Sequence, residues 1–178
     1  MLNNKKILIT GGTGSFGHAA AADFLNEGAE KIIIYSRDEY KQAIMKSKFK
    51  DDRISFFIGD VRDLERLNEC TKEIDIIVHA AAMKHIDICE QNKSEAYKTN
   101  VLGSENVISA ALNNNVSLCI NLSADKAVYP AGVYGTTKSL SEKIFIDGNK
   151  MAKEKNKNCK FVSLRYSNVL GSRGSVVE

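Results

Sequence analysis

Short runs of β-branched and aliphatic residues alternate along the chain with longer stretches in which apolar residues recur at helical spacing. The short runs are continuously apolar, which is typical of strands buried on both faces of a parallel sheet. They predict six strands, at residues 6–10, 31–35, 54–58, 74–80, 116–122 and 161–165. The longer stretches predict helices at residues 15–27, 39–48, 64–71, 94–113 and 134–155. Strands that each lead into a helix predict an α/β fold with a Rossmann-type doubly wound parallel sheet.

The size and charge of the chain narrow its class. Its 178 residues are enough for one domain, residues 1–178, with a packed core. The net charge of +3 indicates neither a nucleic-acid nor a membrane partner, and no apolar stretch approaches the length of a membrane span. The polar start does not resemble a signal peptide, and the four cysteines form no CxxC pair. We therefore expect a cytoplasmic protein with reduced thiols and no metal site.

A glycine-rich turn joins the first predicted strand to the first predicted helix. Its glycines are three residues apart, which lets the backbone approach a ligand closely. The helix that follows directs its positive end at the turn, which suits a pyrophosphate. No Gly-Lys-Ser/Thr sequence follows, which argues against a nucleoside-triphosphate loop. The turn predicts a dinucleotide site, with a purely structural tight turn as the alternative, and its contacts are expected from Gly11, Thr13, Gly14, Ser15, Phe16 and Gly17.

The end of the second predicted strand bears on the identity of the dinucleotide. Enzymes that use NAD tend to place an acidic residue there, whereas those that use NADP place an arginine. Here Ser36 and Arg37 come first, and Lys41 adds a second positive charge. This order favours NADP over NAD, since arginine offers a fork of donors to a 2′-phosphate. Asp38 and Glu39 fit the start of a helix equally well.

Residues after the next three strands are also expected to touch the dinucleotide. They are Asp60, Val61, Ala80, Ala81, Lys84 and Leu122. Asp60 is placed either to accept from the adenine amino group or to cap the following helix. The small side chains of Ala80 and Ala81 let a dinucleotide lie across the sheet edge, while His79 is expected to be a packed core histidine.

A reactive group is predicted where the fifth strand ends and the last helix begins. Tyr134 and Lys138 are four residues apart, hence on one helix face, and both are expected to contact cofactor as well. A nearby ammonium and a positively charged nicotinamide favour the phenolate, which would lower the tyrosine pKa from about 10. Tyr134 is then a base for a substrate hydroxyl, and Ser123 at the strand end is placed to orient that hydroxyl.

Together these motifs resemble the extended short-chain dehydrogenases/reductases that modify nucleotide sugars, and within them the polysaccharide biosynthesis family. The similarity runs from Lys5 to Val177, and within that family these residues are similar to those of the inverting UDP-N-acetylglucosamine 4,6-dehydratases. It is carried by the glycine turn and by residues 36–39, 59–63, 79–85, 123–127, 134–138 and 165–176. The resemblance implies NADP-dependent dehydration of UDP-N-acetylglucosamine or a similar UDP-sugar for surface polysaccharide or glycan biosynthesis.

Asp125 and Lys126 separate the inverting group from the retaining dehydratases, which carry Asp-Glu at this place. The resemblance implies that Lys126 removes the C5 proton and that Asp125 protonates the departing C6 hydroxyl. A surface ion pair in a turn is the alternative, since turns favour Asp. Many members have Thr in place of Ala124, so Ser123 is expected to supply the hydroxyl here. Substrate contacts are expected from Lys84, Ser123 and Asn168.

The resemblance also implies features beyond the reaction. Members continue into a substrate-binding region that residues 1–178 largely lack, and the long helices at residues 94–113 and 134–155 resemble a pair that joins two subunits. We therefore expect a homo-oligomer, a dimer or higher. Two other functions remain open: a related epimerase or reductase that uses the same Tyr134 and Lys138, and an NADP-binding fragment without activity.

Overall fold

Parallel pairing of the six apolar runs builds the sheet. The computed structural model of the chain describes residues 2–169. Its strands are β1 (Lys6–Thr10), β2 (Lys31–Ser36), β3 (Ile54–Ile58), β4 (Ile76–His79), β5 (Leu118–Leu122) and β6 (Lys160–Leu164). They lie in the order β3-β2-β1-β4-β5-β6, with every pair parallel. This order runs outward from β1 in both directions, which confirms the Rossmann-type doubly wound arrangement.

The helices cover both faces of the sheet. They are α1 (Ser15–Asn26), α2 (Glu39–Lys48), α3 (Leu64–Cys70), α4 (Ile86–Gln91), α5 (Lys93–Tyr97), α6 (Gly103–Asn113) and α7 (Val133–Glu154). No helix within residues 2–169 is both long enough and apolar enough to cross a membrane.

The structure differs from the predicted pattern at three places, besides shifts of one or two residues at the ends of other strands and helices. The helix predicted at residues 94–113 is α5, a π-helical turn at Lys98–Leu102, and α6. Helix α4 was not predicted, because it has only six residues and exposes Ile86 and Ile88 instead of burying an apolar face. The fifth strand begins at Leu118 rather than residue 116, because the Val116 N–H donates to the carbonyl of Ala111 at the end of α6.

The core lies in two layers, one on each side of the sheet. Along β1, Ile7 and Ile9 face α1 and α2, whereas Leu8 faces the layer of α3, α6 and α7. All three side chains are at most 1% exposed. Burial on both faces explains why the strands show no alternation of polar and apolar residues.

His79 confirms the expectation of a core histidine. It is 2% exposed, with Nδ1 2.8 Å from Thr10 Oγ1 and Nε2 3.3 Å from Ser104 Oγ. Burial, and then the positive charge of Lys138, lowers the pKa of His79 to about 3. The ring is therefore neutral at physiological pH and acts as a polar link between β1, β4 and α6.

The packing of Phe145 gives a test of this core. Its side chain is 1% exposed and lies between His79, with ring centroids 6.1 Å apart, and Phe161, at 6.0 Å. We expect Phe145→Ala to lower the free energy of unfolding by about 3–5 kcal/mol, measured by urea denaturation of the 178-residue chain. The adjacent Ile146 is 62% exposed, so Ile146→Ala should change the free energy of unfolding by no more than about 0.5 kcal/mol. Equal losses in the two variants would contradict this packing.

Candidate active site

The glycine turn between β1 and α1 presses against the loop that follows β4. Gly11 has a φ of +65°, and its N–H donates to the Tyr35 carbonyl at 2.8 Å. A Cβ at Gly11 would lie 2.8 Å from the backbone of Ala81, and one at Gly17 would collide with the backbone of Gly12. Only glycine fits at these two positions, because a side chain at Gly11 would push the turn away from the loop after β4 and one at Gly17 would push α1 away from the turn.

Helix α1 begins directly after this turn. Gly14 is its cap residue and supplies no side chain to the helix start. The positive end of the helix dipole therefore points at the turn, where a pyrophosphate is predicted. Thr13 is buried and Phe16 is 40% exposed. The structure thus brings the predicted turn residues beside Ala80 and Ala81, while their contacts with a dinucleotide stay a prediction.

Gln42 connects the ends of β2 and β3, and sequence reasoning missed it. Its buried amide nitrogen donates to the Ser36 carbonyl and Ser36 Oγ, both at 3.1 Å, and to the Phe57 carbonyl at 2.8 Å. Ser36 is therefore fixed at the strand end. No periodic pattern marks a buried glutamine on a polar helix, so the sequence offered little signal for it.

The two positive charges predicted to hold a 2′-phosphate both have carboxylate partners. Lys41 Nζ lies 2.7 Å from Asp38 Oδ2, and Arg37 lies 3.7 Å from Asp60 Oδ2. Asp38 also accepts from the Lys41 N–H at 2.9 Å and so caps α2, which resolves the alternative left open for it. The hydrogen bonds from Lys41 lower the pKa of Asp38.

Asp60 is not a helix cap. Asp63 caps α3 instead, by accepting from the Arg66 N–H at 2.9 Å. Asp60 Oδ2 accepts from Arg62 Nε at 2.9 Å and from Arg62 Nη2 at 2.6 Å. Partial burial alone would raise the pKa of Asp60, but the hydrogen bonds from Arg62 outweigh it, so the pKa is lowered. Asp60 is thus an ionised acceptor at the sheet edge.

The other predicted cofactor residues of this edge lie in different surroundings. Val61 is buried and packs beside Gly103, where an added Cβ would lie 2.7 Å from Val61 Cγ2. Lys84 is exposed in the loop between β4 and α4. Leu122 ends β5, and its carbonyl is used by Lys138.

Lys138 is the buried cation of the site. It is 4% exposed, and its Nζ donates to the Leu122 carbonyl at 2.5 Å. Loss of solvent lowers its pKa to about 8, against the opposing effect of Glu142. Glu142 continues the four-residue spacing of Tyr134 and Lys138 along one face of α7, so the spacing rule was a signal that sequence reasoning did not use.

Glu142 and Arg165 form a two-bond ion pair beside this lysine. Arg165 Nε donates to Glu142 Oε1 at 2.9 Å, and Arg165 Nη2 donates to Oε2 at 2.7 Å. This pair chiefly lowers the pKa of Glu142. It joins α7 to the segment that leaves β6, so the ends of β5 and β6 are both fixed to one helix.

Tyr134 does not have the lowered pKa that the sequence suggested. Burial, followed by the charges of Tyr166 and Asp125, raises the pKa of Tyr134 to about 12. Burial is the main cause, and the Lys138 ammonium, which donates to the Leu122 carbonyl, does not offset it. The residues of this chain alone therefore keep Tyr134 protonated.

Ser123 presents a buried hydroxyl without a hydrogen-bond partner within residues 2–169. It is 1% exposed, and its N–H donates to the Leu164 carbonyl at 2.7 Å. The hydroxyl lies near enough to Glu142 to help lower the pKa of that carboxyl, without the geometry of a hydrogen bond. A buried hydroxyl without a well-formed hydrogen bond to the chain is a candidate for binding a ligand. The adjacent Ala124 is also buried.

Asp125 and Lys126 form an ion pair in a 3₁₀ turn, Asp125–Ala127. Lys126 Nζ lies 3.1 Å from Asp125 Oδ1 and donates to Asn168 Oδ1 at 3.3 Å. The side chains of Asp125 and Lys126 are 46% and 38% exposed. The hydrogen bond from Lys126 lowers the pKa of Asp125. Two predicted catalytic residues and the predicted substrate residue Asn168 thus meet, whereas residues 170–176 of the last motif lie outside the described residues.

Asn100 is a further residue of the site that the sequence did not reveal. Its side chain accepts from the Met83 N–H at 2.8 Å and donates to the Met83 carbonyl at 3.0 Å. It also donates at 3.0 Å to Thr137 Oγ1, which donates to the Tyr134 carbonyl. Asn100 lies in the π-helical turn, a feature often found at functional sites. Sequence spacing does not distinguish such a turn from an uninterrupted helix.

Comparison with known proteins adds to this geometry. A family model described as polysaccharide biosynthesis protein matches residues 7–178. The chain is 52% identical over 178 residues to the UDP-N-acetylglucosamine 4,6-dehydratase (inverting) of Campylobacter jejuni subsp. jejuni serotype O:23/36 (strain 81-176). It is 44% identical over 181 residues to the UDP-glucose 4-epimerase of Rickettsia akari (strain Hartford).

These alignments cover 99% of this chain but 53% and 52% of the two relatives, so the chain spans about half the length of the curated relatives it matches. The X-ray structure of Pen from Bacillus thuringiensis is similar with a TM-score of 0.95 at 36% sequence identity. That similarity covers 99% of this chain and 54% of the other.

The burial of Lys138 predicts a pH dependence of stability. Its pKa is about 8 in the folded chain against an ordinary value of 10.5, so between these values the unfolded chain binds the extra proton. The penalty for burying the charge is complete below pH 8 and fades toward pH 10.5. We therefore expect the unfolding free energy of the wild type, minus that of Lys138→Met, to rise by about 2–3 kcal/mol between pH 7 and pH 10.

Urea denaturation at several pH values measures this difference. Lys143→Met, at an exposed position of the same helix, is the control. It shows how the unfolding free energy changes with pH when an exposed lysine is lost. If the difference between wild type and Lys138→Met changes with pH as the difference between wild type and Lys143→Met does, Lys138 is not buried in its charged form.

Proposed function

The chain belongs to the polysaccharide biosynthesis protein family, and on that premise we propose that it serves the NADP-dependent 4,6-dehydration of UDP-N-acetylglucosamine. The product is a 4-keto-6-deoxy UDP-sugar, inverted at C5, for surface polysaccharide or glycan biosynthesis. The observation that carries this proposal is the Asp125–Lys126 pair, which lies at the end of β5 and bonds to Asn168. The name of the Campylobacter jejuni relative supports the same reaction.

The residues at the strand ends suit a dinucleotide. The close approach of Gly11 to Ala81 leaves backbone, without a side chain, facing the start of α1. When bound there, NADP⁺ would supply the hydride acceptor for oxidation at C4 and, once reduced, the hydride donor for reduction at C6. Ser36 and Arg37 are the groups that we assign to the 2′-phosphate, which requires Arg37 to leave its 3.7 Å contact with Asp60.

Tyr134 and Ser123 serve the removal of the C4 hydroxyl proton. The unpaired Ser123 hydroxyl binds and orients the sugar hydroxyl, and Tyr134 takes its proton. A tyrosine with a pKa of about 12 is a poor base at neutral pH, so its pKa must fall in the complex. The positive charge of an oxidised nicotinamide has the required sign. Lys138 keeps the helix of Tyr134 against the end of β5.

Asp125 and Lys126 serve the elimination of water. Across their 3.1 Å contact, one proton can pass from the ammonium to the carboxylate, which leaves an amine and a carboxylic acid without changing the total charge. The Lys126 amine takes the C5 proton, which is acidic beside the C4 carbonyl, and Asp125 protonates the C6 hydroxyl as it leaves. The pair is then again an ammonium and a carboxylate. As hydride reaches C6, solvent supplies a proton to C5 on the opposite face, which inverts that centre and balances the proton that Tyr134 takes from the C4 hydroxyl.

A UDP-sugar 4-epimerase is the second candidate, favoured by the name of the Rickettsia akari relative. That reaction uses Tyr134 and Lys138 but has no elimination step for Lys126. An NADP-binding fragment without activity is the third, and it would bind cofactor without turnover. A cytoplasmic location and a homo-oligomer stay predictions.

Lys126→Met distinguishes the two reactions. In the complete natural protein loaded with NADP, we expect wild type to convert UDP-N-acetylglucosamine to a product lighter by one water, detected by mass spectrometry. Lys126→Met should lower the rate of this product by at least about a hundredfold, since general acid–base groups contribute roughly 10²–10⁴-fold. Its NADP affinity should equal that of wild type.

Lys143→Met is the matched control, because it removes an exposed lysine from α7 and should keep full activity. A Lys126→Met protein that still forms the lighter product would disprove the role of Lys126. An unchanged mass together with a C4-epimerised sugar would identify an epimerase. NADP binding without any product from the complete protein would leave only a cofactor-binding role without catalysis.

Arg37→Ala tests the preference for NADP. We expect it to weaken NADP binding by about tenfold, the loss of one charge-assisted hydrogen bond, and to change NAD binding by less than about twofold. Isothermal titration calorimetry measures both affinities. Lys48→Ala, an exposed lysine at the end of α2, controls for the loss of a positive charge. Equal effects on both cofactors, or tighter binding of NAD by wild type, would overturn the NADP assignment.

A further inference from the structure

Helix α7 begins without a side-chain cap of its own. Its cap residue is Gly132, and the first N–H groups of a helix have no partner within the helix. The Val133 N–H donates instead to Glu90 Oε1 at 2.5 Å. Glu90 lies in α4, 43 residues earlier in the chain, so the start of α7 is capped by another helix.

Glu90 and Gly132 fit each other. A Cβ at Gly132 would lie 2.5 Å from Glu90 Oε1. Gly132 has φ −144° and ψ −179°, an extended conformation that any residue adopts, so the backbone does not require glycine there. A side chain there would instead displace the Glu90 carboxylate, the end of a flexible side chain, from its present place. Within its own helix Glu90 lies in the last turn, where a negative charge is unfavourable, whereas the start of α7 favours it.

The bond from Glu90 acts next to the proposed base. Val133 directly precedes Tyr134, whose carbonyl accepts from Thr137 Oγ1 at 2.9 Å. Thr137 is in turn held by Asn100, which also holds Met83 in the loop before α4. The backbone is therefore fixed on both sides of Tyr134, by Glu90 before it and by Asn100 after it.

We propose that Glu90 is a positioning residue: its carboxylate caps α7 across the α4–α7 contact and thereby fixes the Tyr134 phenol relative to the sugar hydroxyl. The effect on turnover rests on the proposed function, whereas the capping does not. A small misplacement of a reacting group reduces the rate steeply, so loss of this one bond should appear in kcat.

Three variants of the complete natural protein test the proposal. Glu90→Ala removes the cap, and we expect kcat for UDP-N-acetylglucosamine to fall by roughly tenfold while KM stays within about twofold. Glu90→Gln keeps an oxygen that accepts the Val133 N–H, so kcat should stay within about threefold of wild type. In Glu90→Ala/Gly132→Ser, a serine in the space left by the carboxylate caps α7 directly, and most of kcat should return.

Hydrogen exchange gives a readout that does not depend on activity. We expect amides of residues 133–136 to exchange about tenfold faster in Glu90→Ala and at the wild-type rate in Glu90→Ala/Gly132→Ser. Asp87→Ala, an exposed carboxylate of the same short helix, is the control and should change neither exchange nor kcat.

The outcomes separate the two claims. Unchanged exchange in Glu90→Ala would disprove the capping. Faster exchange with an unchanged kcat, or a serine that restores exchange but not kcat, would overturn the positioning role. A wild-type protein without activity on UDP-N-acetylglucosamine would refute the proposed function, and the exchange rates would still decide whether Glu90 caps α7.

Discussion

The contact between the Lys138 ammonium and the Leu122 carbonyl is the constraint on which the site depends. Lys138 is buried with a pKa of about 8, so keeping it charged at neutral pH costs about 3 kcal/mol of stability. The same hydrogen bond fixes the start of α7 to the end of β5, next to Ser123. The Glu142–Arg165 pair extends the same attachment to β6. Stability is thus given up to hold reactive groups in a single arrangement, a common compromise at functional sites.

The first turn of α7 is also held by residues that come from earlier in the chain. Asn100 in the π-helical turn and Glu90 in α4 contact the first turn of α7, on either side of Tyr134. The parallel sheet makes this possible, because every strand ends at the same edge and the following loops meet there. The glycine turn and the Asp125–Lys126 pair come from two of these loops.

The fold was predictable because buried parallel strands leave continuous apolar runs, and the glycine turn because only glycine fits beside Ala81. The contacts of Glu90 and Asn100 were not, since they join residues 43 and 37 positions apart and follow no periodic pattern. The helical spacing of Tyr134 and Lys138 was read correctly, but spacing does not say where an ammonium points. Without cofactor the pKa of Tyr134 is raised by burial, so the predicted lowering depends on the nicotinamide charge and stays a prediction. The alternative that Asp60 caps a helix failed because Asp63 does so.

Asp125 and Lys126 are proposed to carry out the elimination of water, after which protonation from the opposite face inverts C5. The most direct test of this central claim is the reaction of the complete, NADP-loaded protein with UDP-N-acetylglucosamine in deuterium oxide, followed by NMR of the product. The proposed chemistry predicts a 4-keto-6-deoxy sugar with deuterium at C5 and the inverted configuration at that carbon. A product that keeps the original C5 configuration, or that retains hydrogen at C5, would contradict it.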